Sequence, residues 1–183
     1  MANILIAVTG SIASYKAADL VSSLKKQGHD VTVLMTEAAR EFIQPLTLQV
    51  LSQNPVHLDV VQEPYPDQVN HIELGKRTDL FIVAPATANT IAKLAHGFAD
   101  NMVTSTALAL PSHIPKLLAP AMNTKMYDHP ATQANLKILE TYGYQIISPK
   151  ESLLACGDHG KGALADLNTI LERIKETLNE QTL

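Results

Sequence analysis

The chain opens with an apolar, β-branched stretch from Asn3 to Thr9 that runs into Gly10-Ser11. From Ile12 to Gln27 apolar positions then recur at helical spacing and stop at Gly28. The pattern predicts a strand, a tight turn, and a helix closed by a glycine cap. It repeats at once: residues 30–35 are strand-like, and Thr36 is a candidate cap for a helix starting at Glu37, with Pro45 and Pro55 punctuating the stretch beyond it. Residues 59–70 lose periodicity and gather Pro64, Pro66 and acidic side chains, which predicts an exposed loop ending at His71-Ile72-Glu73-Leu74-Gly75, just before a strand. Residues 79–84 read as a buried strand, followed by helices over about 87–95 and 100–110 with a break at Gly97. A fourth strand over 116–119, a helix over 130–142 capped by Gly143, and a fifth strand over 144–148 complete the alternation. A polar, glycine-rich loop over 149–162 then leads into a final amphipathic helix.

Strands alternating with helices imply right-handed crossovers. The expected fold class is α/β: a doubly wound, mostly parallel sheet with helices on both faces, a Rossmann- or flavodoxin-like three-layer sandwich. With 183 residues, no internal repeat and no linker, the chain is expected to be one domain, 1–183, with a substrate flap around 149–165. Ligands in such sheets collect at the carboxyl ends of strands, where the strand order reverses.

Composition narrows the partners. A formal net charge of −4, with no run of lysine or arginine, disfavours nucleic acid. No basic leader and no apolar run of bilayer length are visible, so neither a signal peptide nor a membrane partner is expected. The lone Cys156 excludes an intramolecular disulfide and fits a reducing cytoplasm. No metal-ligand spacing occurs, and no G-x-S-x-G elbow.

Four loops carry candidate chemistry. Gly10 in Gly10-Ser11-Ile12-Ala13 lets backbone pass close to a ligand, and the free amides opening the next helix suit phosphate; Ser11 and Thr36 add hydroxyls. A serine-capped turn explains the same residues. The full G-x-G-x-x-G spacing is missing, which favours a mononucleotide over a nicotinamide dinucleotide. Thr87-Ala88-Asn89-Thr90, after Pro85, offers donors suited to a ribityl chain or a flavin edge, or simply a helix cap. Asn123 in Pro120-Ala121-Met122-Asn123 offers amide hydrogens to a carboxylate, or sits in an ordinary loop. Among seven histidines, His29, His57, His96, His113 and His129 read as structural, while His71 is the candidate general base. Cys156 is either a small core residue or, given its polar glycine-rich neighbours, an exposed thiol on a flap, where proton donor is its natural role.

Taken in order, six segments resemble the homo-oligomeric flavin-containing cysteine decarboxylase family over nearly the whole chain: Gly10 to Lys16, His71 to Leu74, Pro85 to Thr90, Ala99 to Met102, Pro120 to Asn123, and Leu154 to Gly162. The resemblance implies FMN contacts from Gly10, Ser11, Ile12, Thr36, Thr87, Ala88, Asn89 and Thr90. It implies His71 as catalytic base, Asn123 as ligand of the substrate carboxylate, and Cys156 as acid for the last step. Ala121, Met122, Ala155 and Gly157 are implied beside the substrate. Two departures are Thr87 where the family has serine and Tyr127 where tryptophan is frequent; neither removes a reacting group.

The implied activity is decarboxylation of 4'-phosphopantothenoylcysteine to 4'-phosphopantetheine on the route to coenzyme A. Hydride transfer to FMN from the carbon bearing sulfur gives a thioaldehyde, whose electron sink allows CO2 loss to an enethiol; reduction with protonation by Cys156 then restores the saturated thiol. A trimer, or a multiple of trimers, with FMN between subunits is implied, and the preceding ligase activity is expected on a separate chain. Alternatives of the same fold are a peptide-cysteine decarboxylase and a prenyl-flavin synthase; a non-enzymatic FMN-binding regulator is the alternative of another class.

Overall fold

The computed structural model describes residues 1–62, 66–153, 157 and 159–180. Strand β1 (Asn3–Val8) leads through a 3-10 turn, Ile12–Tyr15, into α1 (Lys16–Lys26), and β2 (Asp30–Met35) leads through a second 3-10 turn, Glu37–Glu41, into α2 (Pro45–Ser52) and the short β3 (Val56–His57). After α3 (Asn70–Arg77) come β4 (Leu80–Ala86), α4 (Ala88–Ala95), α5 (Met102–Ala109) and β5 (Lys116–Pro120). Next are α6 (Thr124–Asp128), α7 (Pro130–Thr141), β6 (Tyr144–Ile146), β7 (Lys150–Leu153), β8 (His159–Ala163) and α8 (Leu167–Glu180).

Six strands form one parallel sheet in the order β3-β2-β1-β4-β5-β6. The chain starts in the middle, winds outward over β2 and β3, then crosses back to β4 beside β1, which places the switch point between β1 and β4. Successive residues of β1 enter opposite cores. Ile4, Ile6 and Val8 pack with Leu20, Leu24, Ile170 and Ile174 on one face, while Leu5 and Ala7 pack with Phe81, Ile91, Val103 and Leu139 on the other. Burial on both faces is why the strands read as unbroken apolar runs. No helix of the described residues is long and apolar enough to cross a membrane.

Three expectations need correction. Residues 70–77 form a helix, α3, where the sequence suggested the end of a loop. The segment lacks a side-chain cap and contains Gly75, so its propensity is poor; what holds it is tertiary. Gly75 lies against the end of α5, where an added Cβ would stand 3.4 Å from the Ala109 carbonyl oxygen, and Leu74 packs on the core. Pro45, read as punctuation, occupies the first turn of α2, where its missing N–H costs nothing.

The third correction concerns 149–162, expected as a loop. Its described residues form an antiparallel hairpin of β7 and β8. The glycines that suggested a loop serve close packing instead: an added Cβ would stand 2.7 Å from Thr124 Oγ1 at Gly160 and 2.3 Å from the Met122 carbonyl oxygen at Gly162. Met122 N–H donates to Gly162 O at 2.9 Å, fastening the hairpin to the segment after β5. Because the obstacle at Gly162 is backbone, Gly162→Ala is expected to cost about 1–3 kcal/mol. Urea unfolding checks this, and an unchanged midpoint contradicts it.

Candidate active site

A cleft of about 710 Å³ opens at the carboxyl ends of the strands, over the switch point. Gly10, Ser11 and Ile12 line it after β1, and Thr36, Glu37 and Ala38 after β2. Thr87, Ala88, Asn89 and Thr90 line it after β4, and Ala121 and Met122 after β5. The fold therefore gathers every residue expected to contact the cofactor. A larger hollow, about 950 Å³, lies near the opposite strand ends beside Asn3, Asp30 and Asp79, and holds none of the candidate residues.

Local geometry explains the residue types. An added Cβ at Gly10 would stand 2.5 Å from Ala38 Cβ, so glycine is what lets the turn after β2 close on the end of β1. Ser11 caps the first 3-10 turn, its hydroxyl accepting from Ala13 N at 3.2 Å. Thr87 caps α4, accepting from Thr90 N at 3.3 Å. The structural and ligand-facing readings of these two residues thus hold together, since both also line the cleft. Thr36 differs: its Oγ1 is buried with no hydrogen-bond partner among the described residues. Leaving a buried hydroxyl unpaired costs about 1–3 kcal/mol, a cost that a ligand oxygen in the cleft would remove.

The rim is partly apolar, with Ile12, Phe42 and Met126 all substantially exposed. Flat apolar groups suit such a wall, and the N-terminal ends of α4 and α5 add positive dipole ends to the polar side. Lys93 and Asp100, both in the lining, form an ion pair. The hydrogen bond from Lys93 holds the Asp100 carboxyl below the usual carboxylate range. Sequence reasoning missed Lys93, Phe42 and Met126, and quoted Asp100 and Asn101 without a role. All three lie within a few residues of segments the sequence did single out, but which side chains of those turns and helices face the cleft was not legible from residue type.

Asn123 directly follows the lining residue Met122 and caps α6, with Oδ1 accepting from Lys125 N at 2.9 Å. That bond fixes the orientation of the amide. Gly157 is exposed, with a positive φ of 87°. Ala155 and Cys156 lie outside the described residues. His71 stands in the first turn of α3, half-buried, with Nδ1 buried and unpartnered among the described residues; it does not line the cleft of its own chain. The histidines set aside as structural include His57, whose Nδ1 pairs with Asn70 at 2.9 Å and whose pKa burial lowers, and His129, whose Nδ1 accepts from Ala131 N at 3.1 Å.

Known proteins fit this arrangement. The chain is 63% identical over 175 residues to a probable phosphopantothenoylcysteine decarboxylase of Streptococcus mutans, covering 96% of this chain and 98% of that protein. It is 47% identical over 180 residues to the coenzyme A biosynthesis bifunctional protein CoaBC of Bacillus subtilis, covering 98% of this chain but 44% of the relative. Among solved structures, a mutant PPC decarboxylase complexed with pantothenoylaminoethenethiol aligns with a TM-score of 0.88 at 31% identity, over 97% of this chain and 98% of that one. The family model described as Flavoprotein matches residues 1–179, and the chain belongs to that family.

Proposed function

We propose that the protein is an FMN-dependent decarboxylase that converts 4'-phosphopantothenoylcysteine to 4'-phosphopantetheine in coenzyme A biosynthesis. The observation that carries this reading is the cleft over the β1/β4 switch point, with the unpaired Thr36 hydroxyl in its wall. The donor set fits FMN. Amides at the start of α4 and the Thr36 hydroxyl suit its phosphate and ribityl oxygens, and Ile12, Phe42 and Met126 suit its ring.

Bound FMN supplies reversible acceptance of two electrons, which a cysteine carboxylate needs because its own carbanion has nowhere to delocalise. The protein's residues do the rest. Asn123 orients the substrate carboxylate through its amide without adding a charge that would resist CO2 departure. His71 accepts the thiol proton at an imidazole nitrogen as the carbon bearing sulfur is oxidised, and Cys156 protonates the neighbouring carbon of the enethiol left by CO2 loss.

That His71 stands outside the cleft of its own chain supports a working site completed by a second copy, and the family resemblance implies a homo-oligomer built on trimers. The β7–β8 hairpin covers the substrate from its anchorage on Met122.

Anaerobic incubation of the purified yellow protein with 4'-phosphopantothenoylcysteine tests the reading. Mass spectrometry should show conversion to the decarboxylated saturated thiol without added reductant. A substrate mass that does not change, or a protein that cannot be loaded with FMN, rejects it. A narrower expectation concerns Thr36: the near-isosteric Thr36→Val should weaken FMN binding about tenfold while leaving the fold intact. Fluorescence of released flavin measures this, and unchanged affinity removes Thr36 from the cofactor site.

A further inference from the structure

We infer that Thr9, the last residue of an apolar run, is a positioning residue for the cofactor. Its buried hydroxyl fixes the gap between β1 and β4 and, through Thr87, holds the start of α4 with Thr90 at the cleft. The inference rests on the reading of the cleft as an FMN site.

The two strands need such a fastening. Their main-chain register runs from Ile4↔Leu80 to Ala7↔Val83, and on its other side β4 shifts register against β5 between Val83 and Ala86. The paired register ends at Val83, and the segments that follow the two strands, Gly10 to Ile12 and Thr87 to Thr90, line the cleft. Thr9 is fully buried there. Its Oγ1 donates to Pro85 O at 2.7 Å and accepts from Thr87 N at 3.0 Å. The Thr9 carbonyl in turn accepts from Ser14 Oγ at 2.7 Å. One residue therefore joins the turn after β1 to the turn after β4, where the sheet ladder no longer does.

The contact runs on from Thr9 to the start of α4. A threonine hydroxyl carries one proton. Thr9 places its own on Pro85 O, so at its 3.4 Å contact with Thr87 Oγ1 it has none left to give. Thr87 Oγ1 accepts from Thr90 N and shares a hydrogen bond with Thr90 Oγ1 at 3.2 Å. Thr90, tied to Thr87 through its N–H and its hydroxyl, lines the cleft.

Thr9→Val keeps the shape and removes the hydroxyl, while Thr9→Ser keeps the hydroxyl. On the purified flavoproteins, the FMN dissociation constant and the shape of the visible flavin absorption band are measured. Thr9→Val should raise the dissociation constant about tenfold or more and alter the band, and Thr9→Ser should restore both. A wild-type constant and band in Thr9→Val overturn the inference. Should Thr9→Val not fold, Thr9→Cys, with a weak donor of similar size, decides: several-fold weaker binding supports the role and wild-type binding overturns it. The FMN reading fails separately, if the wild-type protein takes up no FMN.

Discussion

His71→Asn is expected to yield a folded, yellow protein that oxidises its substrate about a hundredfold to ten-thousandfold more slowly than the wild type. Asparagine still offers hydrogen bonds, so packing around α3 should survive. What it lacks is a nitrogen that takes up a proton near neutral pH. His71 is assigned to moving a proton and not to holding the cofactor, so the variant should keep its flavin, which separates a catalytic loss from a cofactor loss. The measurement is the loss of visible flavin absorbance on anaerobic mixing with substrate. Normal bleaching in the variant would remove His71 from the chemistry. If a neighbouring copy supplies this imidazole, oligomers assembled from His71→Asn and Cys156→Ser chains should regain a fraction of the activity that neither has alone. Mixed oligomers with no recovery at all would contradict the shared site.

How much of this was legible in the sequence depended on range. The alternation of apolar strands and periodic helices led to the parallel sheet because burial on both faces leaves an unmistakable continuous run, as in β1 and β4. Gly10, Thr36 and the Thr87–Thr90 segment were found because each follows a strand directly, and a doubly wound sheet brings such segments together. Helix α3 was missed because it is stabilised by the approach of Gly75 to Ala109 and not by caps or propensity. The β7–β8 hairpin was missed for a related reason. Gly160 and Gly162 read locally as freedom, whereas their role is contact with Thr124 and Met122, far earlier in the chain. Thr9 was overlooked because a threonine ending a β-branched run looks like more strand, and its partners at Pro85 and Thr87 are invisible until the sheet is assembled.

Cys156→Ser is expected to release CO2 and stop short of the saturated product. The order of steps is the reason: oxidation and CO2 loss precede the step assigned to the thiol, so its removal should leave them running. Serine preserves size and polarity, but a hydroxyl is a far poorer acid than a thiol at neutral pH. The carbon that CO2 leaves then has no efficient proton source, and the unsaturated thiol accumulates. Under anaerobic conditions the two electrons stay at the flavin, so CO2 release should end at about one equivalent per FMN. The solved mutant PPC decarboxylase complexed with pantothenoylaminoethenethiol shows that a related chain can hold such an unsaturated thiol. Cys156 lies outside the described residues, yet the strands on either side of its segment, β7 and β8, are tied to Met122 and hence to the floor of the cleft. Full conversion to the saturated thiol by Cys156→Ser would assign the final proton to another group, and absence of CO2 release would place the thiol earlier in the reaction.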